Sequence, residues 1–103
     1  MSGGSLGLII RTDPGALRLP PSRQSGADPV KLAAQIGQYG GSLRGMLPVQ
    51  VTRGKDGELM INDGVTRATR IAKLQPEATI EVEVIDDRPR ISFEHLVRVR
   101  ERL

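Results

Sequence analysis

The run Thr79-Ile80-Glu81-Val82-Glu83-Val84-Ile85 constrains this chain more than any other stretch, because apolar and acidic residues alternate along it with a period of two. Successive side chains of a strand point to opposite faces, which puts Ile80, Val82 and Val84 on one side and Glu81 and Glu83 on the other. Such a strand needs a core against one face and water against the other. The two glutamates read first as that solvated face, and only second as an acid–base pair. Hydrophobic residues make up 38% of the 103 residues, and Tyr39 and Phe93 are the only aromatics. The core must therefore be aliphatic. A chain of this length supports one core, since such a domain buries roughly 60–70% of the surface its unfolded chain exposes. Residues 1–103 read as a single domain.

Local signals place the other elements. Residues 1–5 read as a disordered or tag-like start, and Leu6-Gly7-Leu8-Ile9-Ile10 as a short strand. Proline and glycine interrupt residues 12–29, where Ala16-Leu17-Arg18-Leu19 alternates as a brief edge strand. Asp28-Pro29 opens a helix: Asp28 accepts from orphan N–H groups, and Pro29 fits the first turn, where no donor is needed. Val30, Ala33, Ala34 and Ile36 fit one face of it with Leu32 alongside, and Gly40-Gly41 stops it. Val49-Gln50-Val51-Thr52 and Glu58-Leu59-Met60-Ile61 flank the turn Gly54–Gly57 as a hairpin. A second helix runs from Val65 to Leu74 with Ala68, Ile71, Ala72 and Leu74 inward. A third, amphipathic and basic, spans Ser92 to Arg102 within residues 88–103, with Ser92 as its cap and Phe93, Leu96, Val97 and Val99 as its apolar content. The expected fold is α+β: a small mixed sheet with a hairpin and about three helices.

The absence of cysteine removes disulfides, thiolate metal sites and every thiol mechanism. No apolar stretch approaches the ~20 residues of a membrane span, and the start lacks a signal-peptide pattern, so a cytoplasmic protein without a membrane partner is expected. The formal charge is +3, concentrated after Asp87, where five arginines face two glutamates. Arg98, Arg100 and Arg102 on the terminal helix could meet DNA or an acidic protein surface; a solvated helix face is the plainer reading.

The segment from Ile61 to Arg70 carries the most chemistry. Asp63-Gly64 lies where a strand gives way to a helix, and Gly64 permits both a tight turn and close approach of a ligand to the backbone. First-turn N–H groups lack internal partners and carry the positive end of the helix dipole, which suits phosphate. Thr66 adds a hydroxyl, and Arg67 and Arg70, spaced i and i+3, add charge on one face. In the plainer reading Asp63 caps the helix, Gly64 turns, and the arginines are solvated. His95, the single histidine, reads as a surface or packing residue. Asp86-Asp87 reads as a polar turn before a divalent-ion site, and no metal centre is expected.

From Pro48 to Ile85 these pieces resemble the N-terminal domain of the ParB/sulfiredoxin superfamily. The likeness rests on Leu47-Pro48-Val49-Gln50-Val51, on Leu59-Met60-Ile61 leading into the box Asp63-Gly64-Val65-Thr66-Arg67, and on Ile80-Glu81-Val82-Glu83-Val84. It extends over residues 28–86 through the helix at Asp28-Pro29, with residues 6–20 a looser match. It implies a nucleotide, ATP or CTP with Mg, held at the box by Gly64 and Arg67, with Asp63 as the acid before the glycine. Val65-Thr66 stands where sulfiredoxins carry Cys-His and kinase-like members His-His, so sulfiredoxin chemistry is excluded. Thr66 also replaces the second arginine of ParB. The expected function is therefore a phosphate- or nucleotide-binding module, with Asp63, Gly64, Thr66, Arg67 and Arg70 at the ligand. No catalytic residue is evident; Asp63 or Glu58 is the first guess for a base. Two alternatives stand beside it: a non-catalytic protein-interaction domain that retains the fold, and a DNA-directed, nuclease or DNA-binding activity through the basic terminal helix.

Overall fold

The computed structural model describes residues 7–103. The expectations for residues 1–5, and for Leu6 as the first residue of a strand, lie outside these. Four strands form a mixed sheet: β1 (Leu8–Thr12), β2 (Val49–Arg53), β3 (Leu59–Asp63) and β4 (Ile80–Asp87), in the order β1-β4-β2-β3. β4 pairs antiparallel with β1 and parallel with β2, while β2 and β3 form the antiparallel hairpin. The alternation at Ile80–Val84 sets the register. Ile80, Val82 and Val84 are buried with Val49, Val51 and Ile61 on the inner face, and Glu81 is exposed on the outer one.

Two α-helices accompany the sheet, α1 (Pro29–Tyr39) and α2 (Val65–Leu74). α2 is the central element: Ala68, Thr69, Arg70, Ile71 and Ala72 are all buried, whereas Leu74, expected inside, is exposed at the helix's last residue. α1 packs on α2 and buries none of its residues fully. Its inward positions are Leu32, Gln35 and Ile36, all half-buried; Val30, Ala33 and Ala34 face outward, a face rotated from the expected one. Contact with one helix alone shields one narrow stripe. Asp28 caps α1 as expected, its Oδ1 accepting from Val30 N at 2.8 Å and Lys31 N at 3.2 Å.

The third helix is absent. Residues 92–98 run as turns and extended chain, ending in a single 3-10 turn, Val99–Arg102. Phe93, Leu96 and Val99 are buried as an apolar spacing of three requires, but the backbone pairs elsewhere. Leu19 N donates to the Val97 carbonyl at 2.8 Å and Val99 N to the Leu17 carbonyl at 2.9 Å. The 16–19 segment in turn closes the β3 edge: Arg18 N donates to Leu59 O and Ile61 N to Arg18 O, at 2.8 and 2.9 Å. The segment 93–102 is thus a strap, fastened over residues 13–26. Among the described residues no helix is long and apolar enough to cross a membrane.

Candidate functional site

Strand β3 ends at Asp63, and Gly64 turns the chain at φ +113° into α2. That value lies in a region L side chains avoid, and glycine meets it without cost from a Cβ. A Cβ there would also stand 2.9 Å from Arg67 Nη2 and 3.0 Å from Val49 Cγ2. The missing side chain is the space into which the Arg67 guanidinium folds back.

No side chain caps α2. Asp63 forms a 3.5 Å ion pair with Arg67 Nη2 and is 71% exposed, so it leaves the first-turn N–H groups open. This contrasts with α1, whose N-terminus Asp28 occupies. The two backbone donors hold the Asp28 carboxyl below its ordinary range, with the nearby Lys31 and Arg23 charges adding to the effect. Arg67 Nη2 also donates to the Pro48 carbonyl at 3.1 Å, its Nε is buried without a partner, and its Nη1 makes no hydrogen bond among the described residues.

These groups line a cleft of about 500 Å³. Gly64, Thr66 and Arg67 form one wall; Ser22 and Arg23, from the turn Pro21–Arg23, Asp28, which caps α1, and Lys31 and Gln35, on α1, form the other. The volume is that of a small-molecule site. Three cations from three segments meet there with two acids, one engaged as a helix cap and the other paired with Arg67.

Of the residues expected at the ligand, Asp63, Gly64, Thr66 and Arg67 come together and Arg70 does not. Arg70 is 2% exposed and runs beneath the loop after α1. Its Nη1 donates to the carbonyls of Gly40 and Ser42, both at 2.8 Å, and its Nη2 meets Met46 Sδ at 3.4 Å. The Tyr39 ring lies 5.3 Å from its guanidinium carbon. Burial lowers its pKa from the ordinary arginine value. The i, i+3 spacing did place both arginines along one side of α2, but the buried position of the second turns it into a staple for the loop. Arg23, Lys31 and Gln35 are among the cleft residues that sequence reasoning missed. Only Asp28-Pro29, which fixes where α1 begins, gave an indirect signal for Lys31.

Other candidates lie elsewhere. Glu58 is gripped by Arg18, which holds its carboxyl below the usual range, and it borders a different depression beside Arg98. It is not a base for the cleft. Asp86 pairs with Arg88 and Asp87 with Arg53. His95 is exposed in a turn. No group of three or more His, Asp or Glu able to hold a metal ion occurs among the described residues. The terminal arginines are engaged within the fold: Arg98 with Glu58, Arg100 with Asp13 and the Gly15 carbonyl, Arg102 with the Gln24 carbonyl.

No protein-family model matches the chain, and no curated protein or solved structure is significantly similar to it.

Proposed function

We propose that this chain is a phosphate-binding module, and that its ligand is a nucleotide held at the N-terminus of α2. The observation that carries the reading is the uncapped start of α2 opening, beside Arg67, onto a cleft that Arg23 and Lys31 also line. Backbone donors, the helix dipole and an arginine fork act together on an anion in such a place. The order hairpin, glycine turn, helix and closing strand is the one the ParB/sulfiredoxin resemblance implies, and it supports the proposal that the chain is a member of that superfamily. Asp63, exposed at the mouth, suits a Mg²⁺ arriving on the ligand's phosphates, since such ions take one or two carboxylates with the phosphate oxygens.

Binding, rather than turnover, is the activity proposed. The carboxylates lining the cleft are Asp28, engaged as the cap of α1, and Asp63, assigned here to the ligand's Mg²⁺, which leaves no further one there to take a proton from an attacking water. Calorimetry with inorganic phosphate, ATP and CTP, each with and without Mg²⁺, tests the reading against an Arg67→Ala control. Saturable heat that disappears in the variant is expected. A wild-type protein silent toward all three ligands sinks it.

A further inference from the structure

The cleft wall opposite α2 combines α1 with the proline-flanked turn Pro21–Arg23, which belongs to no strand or α-helix. A loop of this kind takes its position from whatever satisfies its backbone groups. Here that is Gln24. Its Nε2 donates to the carbonyls of Leu19 at 2.8 Å and Pro20 at 3.3 Å, and its Oε1 accepts from Val97 N at 3.0 Å. Its own carbonyl accepts from Arg102 Nε at 3.0 Å. Gly26, at φ +103°, lets the strap come close: a Cβ there would lie 2.9 Å from Arg102 Cβ. The side chain of Gln24 therefore joins the strap to the base of the turn that presents Ser22 and Arg23.

That turn brings charge to the cleft. Arg23 is exposed, and neither it nor Lys31 makes an ion pair or side-chain hydrogen bond among the described residues. Both lie close enough to Asp28 to influence its carboxyl. The cleft has two cationic poles as a result: the start of α2 with Arg67 on one wall, and Arg23 with Lys31 on the other. A single phosphate engages one pole. Two or more linked phosphates can engage both.

We propose that Gln24, clamped by the strap at Val97 and Arg102, is a positioning residue that holds Arg23 across the cleft from Arg67, and that the two poles together select ligands with linked phosphates over a lone phosphate. This rests on the anion-site reading above and adds to it a specificity, together with the residues that set it.

Calorimetry of the full chain with inorganic phosphate and with pyrophosphate gives the ratio of the two affinities. A general loss of packing does not change that ratio, whereas displacement of one pole does. The wild-type protein is expected to favour pyrophosphate by about tenfold or more, the scale of one added charge-assisted hydrogen bond. Arg23→Ala, on the exposed surface, should bring the ratio near unity because pyrophosphate affinity falls far more than phosphate affinity; Arg23→Lys should restore much of it. Gln24→Ala should act like Arg23→Ala although Gln24 is outside the cleft. Arg102→Ala, which removes one exposed hydrogen bond to Gln24, replaces it if Gln24→Ala does not fold. Phosphate binding that depends on Arg67, with a ratio near one in the wild type or unmoved by these variants, overturns this inference alone. Absence of binding by either anion, or phosphate binding indifferent to Arg67→Ala, brings down the underlying reading with it.

Discussion

The Arg18 guanidinium grips the Glu58 carboxylate at both oxygens, Nε to Oε2 at 2.7 Å and Nη2 to Oε1 at 3.2 Å, while its Nη1 reaches the Leu96 carbonyl at 2.8 Å. One side chain thus ties the hairpin to the strap. The Arg18 side chain is 10% exposed and that of Glu58 25%, so the pair lies between the surface and core cases.

Removing one partner strands the other. Glu58→Gln should cost about 2 kcal/mol at neutral pH, less than a fully buried pair because water still reaches the carboxylate. The same pair gives stability an acid dependence. The hydrogen bond from Arg18 holds Glu58 below its ordinary value of 4.5, so its contribution is whole above that pH and declines as pH falls through the folded value. Denaturant melts of wild type and Glu58→Gln should therefore converge as the pH drops below about 4.5. Parallel curves across that range would contradict it.

Gly64→Ala forces a side chain onto a backbone at φ +113° and against Arg67 and Val49. A loss of about 1–3 kcal/mol is expected, the scale of a strained backbone position, together with weaker phosphate binding because Arg67 must move. Thermal melts and calorimetry on one preparation read both effects.

Arg67 and Arg70 should separate cleanly. Arg67→Ala is expected to abolish anion binding at a modest stability cost. Arg70→Lys cannot reproduce a fork that reaches the Gly40 and Ser42 carbonyls and Met46 sulfur, and should cost about 1–3 kcal/mol while sparing the cleft. Hydrogen exchange should accelerate across residues 40–47 in the second variant. Loss of phosphate binding by folded Arg70→Lys would show that the loop and the cleft are coupled.

Gly54 offers a purely steric test, since its φ is ordinary for any residue at −105°. A Cβ at Gly54 would stand 2.6 Å from the Ile91 carbonyl oxygen and 2.7 Å from the Phe93 ring. Gly54→Ala should lower stability by about 1–3 kcal/mol through displacement of the strap, visible as a downward shift of the melting transition.

The elements that were legible in the sequence are those whose cause is local. Asp28 caps the helix that starts at Pro29, and the Gly54–Gly57 turn joins two alternating runs. Val65–Leu74 forms a helix whose buried positions follow its apolar period, and Gly64 precedes it where the chain must turn sharply. Phe93, Leu96 and Val99 also have a helical spacing, yet the segment is a strap. A helix there would direct the Glu94 and Leu96 carbonyls to amides four residues on. In the fold those carbonyls accept from Arg18, and Arg98 N donates to Glu101 Oε2 at 2.8 Å. A buried arginine some 76 residues away in sequence outweighs helical propensity, because its Nη1 would otherwise lack an acceptor.

The sequence by itself determined that this chain would build a sheet with one apolar face, a capped first helix, and a second helix opened by a glycine, because periodicity, caps and turns act over a few residues. Tertiary structure alone decided what faces that second helix. Arg70 was drawn into the interior, and Arg23 and Lys31 were set across from Arg67, by contacts between segments 24 or more residues apart in sequence. Packing and the satisfaction of buried polar groups settle such choices, and no local pattern encodes them.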